Sequence, residues 1–220
     1  MLTKPIPAWI LVGGALLAAS AGSINVVGFL SVQHQGISHV TGAISILGLE
    51  LAQTNWPGVA HTGAVVVAFF LGCVLSGLII RHNTLRSGYP YGTALTLESA
   101  LLCLATYFLS HGMVLGSYVA ALACGLQNAM ATTYSGAVIR TTHVTGIVTD
   151  LGISLGQIAR REPIDRRRMG LYLVLLTSFF IGGVGGAVGF GFLGYDILLV
   201  PAALTGTAGV SYFLFTKRTA

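Results

Sequence analysis

The sequence predicts an all-α polytopic membrane protein with about six transmembrane helices and two short broken or re-entrant helices. Only 8% of its 220 residues are charged and the mean hydropathy is +0.83, whereas about a quarter of the residues are charged in a typical soluble domain. The second observation is the length of the uncharged stretches, such as Pro5–Leu49 and Ser99–Ile139. One crossing needs about 20 apolar residues, and runs of this length favour helices because barrel strands would alternate apolar and polar residues.

The third observation is an internal repeat marked by the tetrapeptide HVTG, which occurs at residues 39–42 and 143–146. Two further landmarks follow the same order in both halves. The aligned pairs are His39–Gln53 with His143–Gln157, Ala21–Asn25 with Cys124–Asn128, and Ala68–Val74 with Ser178–Val184. The chain is therefore predicted to be one membrane domain, residues 1–220, with a first repeat at about residues 8–110 and a second at about 113–216.

The apolar segments predict the elements in order. Long helices are expected at about Trp9–Leu30, Thr62–Ile80, Tyr91–Ser110, Met113–Val138, Gly170–Phe192 and Ile197–Phe215, and short ones at Val40–Ala52 and Val144–Ile158. The short segments fall below the length of an ordinary span, so we expect them to enter the membrane without crossing it.

Basic residues set the predicted topology, because they accumulate on the cytoplasmic side. They occur at Lys4, Arg81–Arg86, Arg160–Arg168 and Lys217–Arg218. All four sites share one side if the short helices do not cross, which places both termini in the cytoplasm and gives three crossings per half. An odd number inverts the second half relative to the first, a plan typical of secondary transporters. Eight crossings with parallel halves is the alternative, since short helices can cross when they are tilted.

Each HVTG motif lies where a short helix should begin. Thr41 and Thr145 are expected to cap the helices, and Gly42 and Gly146 to allow close backbone approach. A helix start offers unpaired N–H groups and a positive dipole end, which suits an anionic or carbonyl-bearing solute. The other predicted substrate-binding residues are His39, His143, and the intramembrane amides Asn25, Gln127 and Asn128. Packing roles stay open for all of these: a backbone hydrogen bond for each histidine, and interhelical hydrogen bonds for the amides.

Three acidic residues fall within apolar segments, where an ionised carboxylate is costly and a functional role is the default. Asp150 lies on a polar helical stripe that begins at Gly146, so it is also predicted to contact the solute. Desolvation favours the protonated form of a carboxyl group, so Asp150 and Glu98 are predicted to exchange protons in a coupled transport cycle. Glu50 is near the end of its helix, and a structural role is favoured for it.

The same residues exclude several classes of function. No histidine and carboxylate spacing resembles a metal site, and no nucleotide loop or nucleophile motif occurs, so we expect no metal, no cofactor and no enzymatic activity. The net charge of +5 comes from basic residues beside membrane segments and does not indicate nucleic acid as a partner. The lipid bilayer and an unidentified small solute are the expected partners, and homo-oligomerisation is left open.

The runs AGSINVVGFL and SHVTG in the first half, with GLQNAM and TTHVTG in the second, resemble the YoaK-like family of bacterial inner-membrane proteins. That family is known as a domain of unknown function, so the resemblance implies a multi-pass protein of the inner membrane and names no solute. Family members often carry Asp where this chain has Asn25, and Asn where it has Ala43. If the family uses that acid, coupling here depends more on Asp150 or Glu98.

The leading hypothesis is a secondary transporter or facilitator of a small solute, with the pathway between the two short helices. A channel would use the same broken helices without saturation or coupling. A non-transporting membrane scaffold or accessory protein would use the polar residues only to hold helices together.

Overall fold

A computed structural model describes residues 8–31, 34–80, 88–135 and 139–217, and within these ranges the chain is helical. The α-helices are α1 (Ala8–Leu30), α2 (Val40–Ala52), α3 (Trp56–Ile79), α4 (Gly88–Ser110), α5 (Leu115–Tyr134), α6 (Val144–Ala159), α7 (Arg166–Leu193) and α8 (Leu199–Lys217). A 3₁₀ turn at Gly194–Leu198 separates α7 from α8, and Gly194 has a φ of 57°, a conformation that favours glycine. Of the predicted basic sites, Lys4, Arg81–Arg86 and Arg218 lie outside the described residues.

Four apolar stretches in the described ranges are long enough to cross a membrane. They are Ile10–Leu30, Trp56–Ile79, Tyr89–Ser110 and Arg166–Leu214, the last of which has 49 residues and includes both α7 and α8. The two predicted short helices are present as 13-residue α2 and 16-residue α6. The structure is therefore that of a helical membrane protein.

The centre of the bundle is α5, whose small residues let three other helices pack closely around it. Its buried residues include Ala120, Ala121 and Cys124, which join a hydrophobic core shared with α3, α4 and the start of α8. On the opposite side of α4, α8 runs antiparallel to it: Ser99 Oγ donates to the Ala202 carbonyl at 2.7 Å, while Tyr89 stacks against Phe213.

Glycines set the two closest helix contacts. Gly22 of α1 lies against the backbone carbonyl of Phe179 in α7. Gly125 of α5 lies in the same way against the carbonyl of Phe69 in α3. A Cβ atom at either glycine would come closer than 3.0 Å to the facing backbone. Both pairs of helices are parallel. Along α1 and α7, the contact of Gly14 with Leu175 comes before that of Gly22 with Phe179. Along α3 and α5, the contact of His61 with Tyr118 comes before that of Phe69 with Gly125. Backbone oxygens occupy the space that a side chain would need, so these positions require glycine.

Each short helix forms a hairpin with the long helix that follows it. In the first hairpin, Asn55 caps α3 by accepting from Gly58 N at 3.4 Å and donates from Nδ2 to Glu50 Oε2 at the end of α2. In the second, Asp165 Oδ1 caps α7 by accepting from Arg168 N at 3.1 Å. The contact of Glu50 supports the structural role that its position favoured.

Helix boundaries differ from the predictions mainly at starts. The predicted start at Thr62 is wrong by six residues, because Asn55 and Pro57 begin α3 at Trp56. Similarly, α7 begins at Arg166, because Asp165 provides the cap. The start of α8 moves to Leu199, since the 3₁₀ turn takes the intervening residues. The predicted end of α5 at Val138 falls outside the described residues.

Candidate functional site

Between the two short helices lies a cavity of about 800 Å³, within the range of small-molecule sites. Six of the ten predicted substrate-binding residues line it: Asn25, His39, Thr41, Asn128, His143 and Thr145. Phe69 of α3 and Phe179 of α7, both near the middle of their helices, complete its wall. The two HVTG motifs, which are far apart in the sequence, thus face one space.

An amide side chain holds the chain in position just before each short helix: Asn25, which is buried, and Asn128, which is half-buried. Asn25 Oδ1 accepts hydrogen bonds from the backbone N and the Oγ of Ser38, both at 3.1 Å. In the second half, Asn128 Oδ1 accepts from Thr142 N at 3.4 Å and from Thr141 Oγ1 at 3.5 Å. Because Ser38 and Thr142 immediately precede the two histidines, the amides determine where α2 and α6 begin.

The structure corrects the predicted caps. The N-cap residues are His39 and His143, and neither side chain bonds to the helix start, while Thr41 and Thr145 lie within the first turn. Each imidazole instead folds over the glycine of its own motif, where a Cβ at Gly42 or Gly146 would collide with the ring. The two glycines therefore make room for the histidines, and neither is among the residues that line the cavity.

The helix starts give the cavity a positive character. The first N–H groups of a helix have no intrahelical partner, and here no cap side chain supplies one. Two such starts, each at the positive end of a helix dipole, border the same space. Arg140, an exposed residue, also lines the cavity, and no acidic residue does so among the described residues.

Gln127 and Asp150 lie outside this cavity. Gln127 is fully buried; its Nε2 donates to the Leu17 carbonyl of α1 at 3.3 Å, and its Oε1 accepts from Thr141 Oγ1 at 3.5 Å, which is the packing role considered for it. Asp150 forms an ion pair with Arg168 of α7, 3.3 Å between Oδ2 and Nη2, with about 40% of its side chain exposed. The polar stripe of α6 thus turns Asp150 towards α7.

Glu98 is the buried acidic residue of the bundle. It is 1% exposed on α4, and neither carboxyl oxygen has a hydrogen-bond partner among the described residues. It is close enough to Cys124 of α5 to interact with it electrostatically. An ionised carboxylate left without compensation in such a place would be costly.

Comparison with known proteins supplies the family. Residues 13–211 match a family model described as protein of unknown function (DUF1275). The chain belongs to this family. A DUF1275 relative, the UPF0700 transmembrane protein YoaK of Bacillus subtilis strain 168, is 28% identical over 145 residues, which is 62% of this chain. The chain spans 63% of the length of that relative.

The family match confirms the resemblance found in the sequence motifs. Together with the apolar helices, the transmembrane relative shows that this DUF1275 chain is a membrane protein. No solved structure matches the chain.

Sequence reasoning missed Arg140, Ser38 and Thr142. A signal for Arg140 was present, since it ends a long uncharged run and lies only three residues before His143. Ser38 and Thr142 carry no pattern of their own, because their importance comes from the amides that reach them from another helix. Within the described ranges, no group of three or more potential metal-ligating side chains occurs.

Proposed function

We propose that this chain is a secondary transporter or facilitator that moves a small anionic or carbonyl-bearing solute through the cavity between α2 and α6. One observation carries the proposal: both HVTG helix starts, in different halves of the chain, line a single open cavity. Unpaired N–H groups and Arg140 would bind the negative or carbonyl oxygens of the solute. Asn25 and Asn128 would keep the two helix starts in place.

We further propose that the halves are inverted repeats. Gly22 and Gly125 occupy matching positions in the aligned halves, as do Phe179 and Phe69, and each glycine packs on the phenylalanine of the other half. A small cavity lined by Ile10 and Tyr134 places the start of α1 near the end of α5. Matching helices therefore run in opposite directions, the arrangement that permits rocking of one half against the other.

We also propose six crossings, which the same geometry supports: α1, α3, α4, α5, α7 and α8 would span, while α2 and α6 would enter from opposite faces. The starts of α1, α4 and α7 and the end of α8 lie at one end of the bundle. These helix ends adjoin the basic segments in the sequence, which supports a cytoplasmic location for both termini in a bacterial inner membrane.

For coupling, the geometry favours Glu98. Its carboxyl group is buried without a partner, so a neutral, proton-carrying side chain is the inexpensive form in this conformation. Exchange of that proton when the halves move would link transport to a proton gradient. Asp150 already has Arg168 as a partner, and it is the second candidate.

The test is solute flux into liposomes that contain the purified full-length protein. Acetate and lactate serve as anionic probes, glycerol as a neutral probe and methylammonium as a cationic one. Saturable uptake of the anions is expected, and Arg140→Gln should weaken the apparent affinity about ten- to a hundredfold, since one charge-assisted hydrogen bond contributes roughly 1.5–3 kcal/mol. Arg160→Gln is the matched control, because Arg160 pairs with Glu162 away from the cavity.

Each result decides between the hypotheses. Uptake that never saturates would favour a channel, and an inert protein across a wider solute panel would favour the scaffold. Equal losses in the Arg140 and Arg160 variants would show that Arg140 does not contact the solute. If Glu98→Gln and Asp150→Asn both left pH-driven uptake unchanged, proton coupling through these carboxyl groups would be excluded.

A further inference from the structure

The two hairpins differ at their tips, although their short helices match in sequence. At the tip of the first hairpin, Asn55 joins α3 to Glu50 of α2. An open pocket of about 570 Å³ lies beside these two residues, and one of about 560 Å³ lies in the second hairpin, between the end of α6, the connecting loop and the start of α7. The aligned landmarks place extra residues in the second hairpin, and its pocket is lined by arginines, whereas the pocket of the first hairpin contains Glu50 and no arginine or lysine among the described residues.

The pocket combines guanidinium groups with an apolar wall. Arg161 of the loop and Arg166 of α7 line it, together with Ile158, Ile164, Met169 and Leu173. Such a combination matches an amphiphile with an anionic head, because guanidinium groups form paired hydrogen bonds to phosphate oxygens. A soluble anion would leave the apolar wall unused.

The neighbouring ion pairs leave the guanidinium groups of Arg161 and Arg166 available to bind an anion. Glu162 also lines the pocket, but its Oε1 forms an ion pair with Arg160. Arg168 pairs with Asp150. Among the described residues, neither Arg161 nor Arg166 has an ion pair or a side-chain hydrogen bond, and the charge that remains at the pocket is positive.

The position fits the same ligand. Arg166 is the first residue of the 49-residue apolar stretch that contains α7, so the pocket lies where that stretch meets the aqueous phase. Basic pockets at this level of a membrane protein are suited to lipid headgroups.

We propose that the pocket between α6 and α7 binds an anionic phospholipid. The phosphate contacts Arg161 and Arg166, and the acyl chain follows Ile158, Ile164 and Leu173 on the apolar side. In this position the lipid contacts both helices and, together with the Asp150–Arg168 ion pair, holds α6 against α7. This proposal is independent of any transported solute, since the cavity between α2 and α6 and this pocket share no lining residue.

The experiment uses the full-length protein in neutral detergent. Phosphatidylglycerol is titrated with phosphatidylcholine and inorganic phosphate as separate arms, and the thermal midpoint and lipid adducts in native mass spectra are recorded. Phosphatidylglycerol is expected to raise the midpoint and remain bound, and the other two should not. Arg166→Gln is expected to weaken the apparent affinity about tenfold, whereas Arg167→Gln, its neighbour outside the pocket, should bind as the wild type does.

Three results would overturn the proposal. An equal loss of affinity for phosphatidylglycerol in the Arg166 and Arg167 variants would indicate only a diffuse electrostatic attraction of the lipid to a basic loop. Equal stabilisation by phosphatidylcholine would remove the role of charge, and stabilisation by inorganic phosphate alone would identify a soluble anion site. If Arg166→Gln lowers the starting stability, Arg161→Gln measured against Arg167→Gln provides the second comparison at the same pocket.

Discussion

The glycine contact between α1 and α7 gives a stability prediction that can be worked out from the structure. In Gly22→Ala, the new Cβ would lie closer than 3.0 Å to the carbonyl oxygen and carbon of Phe179. These are backbone atoms of a long helix, so no side-chain rotation relieves the collision and the two helices must separate. Overpacking of this kind costs about 1–3 kcal/mol.

A control is available on the same helix. No atom lies within 4 Å of a Cβ built at Gly13, so Gly13→Ala carries only the intrinsic preference of a helix for alanine. That preference stabilises the helix by about 0.5–1 kcal/mol. Because both substitutions are Gly→Ala on one helix, the helix preference cancels between them, and their difference should be the overpacking cost of about 1–3 kcal/mol.

The measurement is the free energy of unfolding of the full-length protein in mixed micelles, obtained by titration with a denaturing detergent. Gly22→Ala is expected below the wild type and Gly13→Ala at or slightly above it. Gly125→Ala, which meets the backbone of Phe69, should lose a similar amount to Gly22→Ala. If Gly22→Ala and Gly13→Ala have the same free energy of unfolding, α1 and α7 do not approach each other this closely. The packing of each half's glycine on the phenylalanine of the other half then loses its support.

Two further predictions concern the residues around the cavity. Asn25→Ala leaves the Ser38 backbone N–H and hydroxyl without their acceptor and should cost about 1–3 kcal/mol of unfolding free energy. Asn128→Ala should cost less, because the hydrogen bonds of Asn128 are longer. A larger loss for Asn128→Ala than for Asn25→Ala in the same detergent titration would contradict this. Asp150→Asn removes an ion pair with Arg168 whose partners are roughly half exposed, so it should change stability by less than about 1 kcal/mol; a larger loss would show that Asp150 is more buried than the structure places it.

The short helices were the best-predicted elements, and the reason is local. The bounds Val40–Ala52 were predicted correctly, because HVTG and the polar residues after Ala52 mark both ends of a short apolar segment. The start of α3 was missed although its signal is equally local: Asn55 before Pro57 is a typical helix beginning. An apolar stretch alone indicates the membrane portion of a helix and not the turns that extend beyond it.

Contacts between distant segments could not be predicted in the same way. The spacing of residues on α6 placed Asp150 on a polar stripe, but only the packing of α7 shows that Arg168 faces this stripe. Arg140 illustrates the opposite case, since it belongs to no basic loop and its place in the cavity depends on how the turn at residues 141–142 leads into α6. A pattern along one helix specifies a face, and the neighbouring helix determines what that face contacts.

On the proposal that Glu98 exchanges protons, its position relative to Asn128 gives it a route by which to influence the cavity. Glu98 on α4 does not line the cavity, yet it neighbours Cys124 of α5. Asn128 lies one helical turn further along α5, at the cavity, and holds the segment that leads into α6. Ionisation of Glu98 would introduce an uncompensated charge beside Cys124, and a shift of α5 that brought water or a polar partner to it would relieve that cost. The same shift would displace Asn128, and with it the start of α6. On this proposal α5 is the rigid connection between proton and solute, which a substitution at Cys124 should weaken without removing either group.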